Sequence, residues 1–160
     1  MNAKRTGILL AVIAAAALLF FFLERLPDSY MPAEDEIALR IQLDLKEDIG
    51  LLLVGYKNAA GTGGQGGLSN ADRTMLSHDD TLFFTIPRHS FGDASDTEHL
   101  TLRFTVISEY QDPNFEDIYP EELKVPLDPV TLEASYGKSY PVTIRGGRDS
   151  GYQAVIDRGA

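Results

Sequence analysis

Asp112, Asn114, Glu116 and Asp117 place four oxygen-bearing side chains within six residues, and Glu121 and Glu122 follow closely. Hard divalent cations collect carboxylate and carbonyl oxygens around one loop. A set without nitrogen or sulfur therefore points to calcium rather than zinc. An EF-hand loop would carry glycine where Asp117 stands and would need flanking helices, which the surrounding residues do not predict. Calcium on Asp112, Asn114, Glu116 and Asp117 is thus the one cofactor reading the chain offers, and a solvated acidic connection is its alternative.

Other residue groups are less able to do chemistry. Ser77-His78-Asp79-Asp80 holds every residue type of a hydrolase triad, but sequence neighbours point apart, and no Gly-x-Ser-x-Gly elbow is present. A hydrolase would have to draw its triad from distant loops. His78, His89 and His99 show no metal-binding spacing. Gly137-Lys138-Ser139 resembles the tail of a P-loop, yet Leu132 stands where the first glycine belongs. The run Gly61-Thr-Gly-Gly-Gln-Gly-Gly67 is followed by no lysine and reads as a mobile connection. Tyr110, Tyr119 and Tyr136 could stack on sugars, although the chain has no Trp.

Charge narrows the partners. From Pro27 onward there are eleven Lys/Arg against twenty-three Asp/Glu, a net charge of −12. Such a surface repels phosphate backbones, so nucleic acid is not expected as a partner, whereas cationic partners, divalent metals and basic peptides remain open. The chain has no cysteine, which removes disulfides, thiolate metal sites and cysteine nucleophiles. Together with the absence of any Asn-x-Ser/Thr site, this points to a bacterial source.

These residues need a scaffold, and the alternation of apolar and polar residues predicts strands. Ile37, Leu39, Ile41, Leu43 and Leu45 share one face of a first strand. Ile49 to Tyr56 is apolar on both faces, as a central strand would be, and is expected to form a hairpin with the first. Further strands are expected at Leu82–Ile86, at His99–Tyr110, at a short edge Leu123–Leu127, and at 130–136, 140–144 and 152–156. Ser69 and Asp72 suggest one or two helical turns through Leu76. Turn signals about every ten residues favour an all-β, antiparallel two-sheet β-sandwich, Ig-like or transthyretin-like, with about 7–9 strands. Leu39, Ile41, Leu43, Leu100, Leu102, Phe104, Leu132, Val142 and Ile144 are expected in its core.

Ahead of this domain lies Lys4-Arg5 and then an apolar run, Gly7–Leu23, free of charge and proline. At 1.5 Å per residue it spans roughly 25 Å, close to the ~30 Å of a bilayer core. No small-x-small cleavage pattern follows, so the run reads as an uncleaved transmembrane helix; a cleaved signal, giving a secreted domain, is the alternative. The basic flank places the N-terminus in the cytoplasm. The expected organisation is an anchor at 1–23, a tether at 24–36 and an extracytoplasmic domain at 37–160. Its expected function is that of a non-enzymatic, membrane-tethered binding or interaction module for an unknown protein or small molecule. The alternatives are a structural subunit of a cell-envelope assembly that pairs through an edge strand, and a hydrolase with dispersed loop residues.

Overall fold

The computed structural model of the chain describes residues 30–92, 95–109 and 121–156. Among these, the strands in chain order are β1 (Glu36–Leu45), β2 (Leu51–Lys57), β3 (Gly63–Leu68), β4 (Thr81–Pro87), β5 (Thr97–Ile107), β6 (Lys124–Pro126), β7 (Val130–Ser135), β8 (Lys138–Gly147) and β9 (Gly151–Ile156). Among the described residues, the helical elements are two short 3-10 turns, at Arg88–Phe91 and Glu121–Leu123. The domain is all-β, as the alternation predicts. The apolar run Gly7–Leu23 lies outside the described residues. Among the described residues, no helix is long and apolar enough to cross a membrane.

The strands form two sheets. One has four strands in the order β4-β1-β8-β9; the other has β3-β2-β5, with β6 and β7 sharing the far side of β5. One apolar core joins them. The first sheet contributes Leu39, Ile41, Leu43, Val142 and Ile144, and the second Leu100, Leu102, Phe104 and Leu132, all buried as expected. A smaller cluster of Leu51, Ile107 and Leu123 covers the outer side of β2 and β5. It explains why β2 is apolar on both faces: its outer side chains have a cover of their own.

Four expectations are corrected. β1 and β2 do not form a hairpin, because they belong to different sheets. The intervening Lys46–Gly50 crosses between sheets: Lys46 N–H donates to the Gly146 carbonyl (2.9 Å) and Gly50 N–H to that of Ile107 (2.9 Å). The pairing is not wholly antiparallel, since β1 and β8 run parallel from Ile37↔Lys138 to Leu45↔Gly146. No helix follows Ser69. Asn70 and Asp72 instead bond to Thr74 and Met75, and Arg73 sits at φ 68, where a right-handed helix cannot continue.

The glycine run is the fourth correction. It contributes β3, paired with β2 from Leu52↔Leu68 to Lys57↔Gly63. Backbone hydrogen bonds hold this strand without help from its own side chains, and neighbouring residues fill the space above it. A Cβ on Gly64 would lie 2.8 Å from the Tyr56 hydroxyl, and one on Gly66 would lie 2.8 Å from the Phe84 ring. Tyr56 packs edge-on against Phe84 and Phe91 at ring-centroid distances of 5.9 and 5.7 Å. These rings do the covering that larger residues would do in an ordinary strand.

Candidate functional site

The proposed calcium ligands Asp112, Asn114, Glu116 and Asp117 lie outside the described residues, as do Tyr110 and Tyr119. Among the described residues, no group of three or more His, Asp or Glu is arranged to hold a metal ion. His78, His89 and His99 are all exposed and sit on different elements: the connection before β4, the 3-10 turn after it, and β5. The Ser77 hydroxyl donates to Asp79 (2.8 Å) instead of meeting an imidazole. Gly137 turns the chain from β7 into β8 at φ 72, with Lys138 and Ser139 already in strand, so no phosphate cradle forms there. Tyr136 offers no free stacking platform, because the Arg88 guanidinium lies 4.5 Å from its ring centroid.

His78 has a specific partner. Its Nδ1 lies 3.0 Å from Asp48 Oδ1, which also accepts the His78 backbone N–H at 2.9 Å. The Asp48 hydrogen bond raises the His78 pKa above its ordinary 6.5, and hydrogen bonds from His78 lower that of Asp48 below its ordinary 3.8. The imidazolium contribution to stability is therefore complete below 6.5 and is lost as pH rises through the raised value. The carboxylate contribution is complete above 3.8 and is lost as pH falls through the lowered one. Histidine proton shifts should show His78 titrating above the ordinary imidazole value, and Asp48→Asn should lower its midpoint. A His78 midpoint unmoved by Asp48→Asn would show that the contact does not form in solution.

The residues that do converge come from strand ends the sequence gives no reason to group. Asp44 on β1 is paired in register with Arg145 on β8, and Arg145 with Gln153 on β9. This row lines a groove of about 630 Å³, with Lys46, Asp128, Ser150 and Tyr152 completing its wall. Arg145 Nη2 donates to Gln153 Oε1 (3.1 Å), which orients the guanidinium and leaves the Gln153 amide as a donor. Asp44, Lys46, Asp128 and Arg145 form no ion pairs among the described residues. The groove therefore presents unneutralised charges of both signs.

A hydrogen-bond network fixes its rim. Glu47, just after β1, accepts the backbone N–H of Arg148 (2.6 Å) and the hydroxyl of Tyr152. Arg148 in turn reaches Glu109 at 2.9 Å. These contacts tie the β8–β9 turn to the β1–β2 crossover. Burial, and then the adjacent Glu47 carboxylate, push the Tyr152 pKa well above the ordinary phenol value. The hydroxyl thus stays protonated and serves as a donor. Glu47 thus accepts from two donors, the Arg148 backbone N–H and the Tyr152 hydroxyl.

No protein-family model and no curated protein matches the chain. Among solved structures, it is similar to a protein from Eubacterium rectale determined by NMR, at 12% identity over 79% of this chain and 92% of that one, with a TM-score of 0.40. A disulfide-locked mutant of intermedilysin with human CD59 matches at 7% identity over 78% of this chain and 24% of that one (TM-score 0.39). Pneumolysin matches at 9% identity over 76% and 23% (TM-score 0.33). The chain spans about a quarter of the length of these last two. Likenesses this distant assign neither a fold family nor a function.

Proposed function

We propose that the chain is a non-enzymatic binding module, a β-sandwich of Ig-like or transthyretin-like type, held at the outer face of a membrane by the apolar run 7–23. The groove along Asp44, Arg145 and Gln153 is its ligand site, and small zwitterionic molecules such as short peptides are the ligand class. One observation carries the reading: the groove holds carboxylates and cations that are not paired with one another, on a rim fixed by Glu47. A ligand carboxylate would meet Arg145 and Lys46, and its ammonium Asp44 and Asp128, through charge-assisted hydrogen bonds. Tyr152, kept protonated beside Glu47, supports binding over proton transfer.

The experiment is a thermal-shift titration of the full chain with zwitterionic dipeptides and with the same dipeptides acetylated and amidated at their ends. The charged forms should raise the melting temperature, because a ligand bound only by the folded state stabilises it. The capped forms should not. Arg145→Ala should weaken binding about tenfold or more, as expected for loss of a charge-assisted hydrogen bond. Equal responses to capped and uncapped forms would contradict the charge-based reading.

A further inference from the structure

β3 forms one edge of the five-stranded sheet, and it is an unusual edge. Among the described residues nothing pairs with its outer side. A bare edge presents a row of backbone N–H and C=O groups that can accept another strand, and natural edges are commonly blunted by charge or proline. β6, on the opposite side of that sheet, carries Lys124 and Pro126, and β4, at an edge of the other sheet, ends at Pro87. Gly63–Leu68 contains neither charge nor proline, and its only side chains beyond glycine are those of Gln65 and Leu68.

The glycines also leave the strand's flank open to a neighbour. Inward, Tyr56 and Phe84 already occupy the space over Gly64 and Gly66, and Leu68, Leu82 and Phe84 are only partly buried against the core. A strand laid beside β3 would meet an apolar wall on its inner side and almost no side chains at its own level. Bulky β-branched or aromatic residues of that strand would cover the glycines from the open side, as Tyr56 does from the paired side.

We propose that β3 is an acceptor edge for an extended, basic segment of another protein, which adds to the sheet as a further antiparallel or parallel strand. Charge selects this occupant over a second copy of the chain. Two domains each carrying −12 beyond residue 26 repel, whereas a basic segment is drawn in. The edge lies apart from the groove residues, so this site stands or falls independently of the groove.

The test uses the full chain and a synthetic peptide alternating lysine and valine, with the same peptide N-methylated at alternate residues as its control. Binding is followed by fluorescence anisotropy, and the contact is located by amide hydrogen exchange. The lysine–valine peptide should bind and slow exchange within Gly63–Leu68. N-methylation, which removes backbone donors and keeps the charge, should weaken it by roughly tenfold or more. Gln65→Lys should weaken binding and Gln65→Glu strengthen it, both at an exposed position that leaves the core intact. Equal binding of the N-methylated peptide, protection elsewhere than β3, or self-association of the chain through these amides would each overturn the proposal.

Discussion

Phe104→Ala should destabilise the domain by about 3–5 kcal/mol, the range for deleting a fully buried aromatic side chain. Phe104 is 0% exposed, lies on the central strand of the five-stranded sheet, and belongs to the core shared by both sheets. Its loss removes apolar burial and leaves a cavity that the surrounding strands, pinned on both sides by backbone hydrogen bonds, can only partly fill. Against a typical total of about 5–15 kcal/mol, this is a large fraction. Thermal unfolding should show a drop on the order of 10 °C. The neighbouring Arg103→Ala, on the exposed face of the same strand, should change stability by no more than about 0.5 kcal/mol. Similar losses from both would contradict the inward–outward assignment of β5.

Gly146→Ala should have the second large effect, for a different reason. Gly146 sits at φ 111, a conformation that residues with a side chain rarely adopt, and a Cβ there would lie 2.1 Å from the Gly151 carbonyl oxygen. Backbone strain of about 1–3 kcal/mol adds to a clash that the β8–β9 pair cannot relieve without moving. The cost should reach about 2–4 kcal/mol by chemical denaturation. Gly146 also lines the groove and accepts the Lys46 N–H, so the same substitution should disturb ligand binding. Gly61→Ala makes a useful contrast: it too has a positive φ, of 85, but nothing lies within 4 Å of the added carbon. A smaller loss there would separate the clash from the strain.

How far the fold could be read from sequence depended on whether side chains carried the information. β1, β5, β7 and β8 alternate plainly, and their inward residues are those found in the core. The destination of each strand was not legible. Lys46–Gly50 is short enough for a hairpin and equally able to cross to the other sheet, and only the hydrogen bonds to Gly146 and Ile107 decide between them. β3 was missed because a strand of glycines has no alternation to detect. The available signal was indirect: Tyr56 and Phe84 are aromatic residues that need a neighbour without side chains. The groove was not legible either. Asp44, Asp128, Arg145 and Gln153 are distant in sequence, and the parallel β1–β8 register that aligns Asp44 with Arg145 is a feature of the folded chain. The three histidines are spread over different elements, so their nearness in sequence is a poor guide to convergence in a two-sheet fold.

The central claim, that the groove is the ligand site, is tested most directly by mapping amide chemical shifts of the isotope-labelled full chain during titration with a zwitterionic dipeptide. Saturable shifts concentrated at Asp44, Arg145, Gly151 and Gln153, absent with the capped dipeptide, are the predicted result. Saturable shifts concentrated at His99, Thr131 and Glu133 on the other sheet, or no saturable shifts at all, would contradict it.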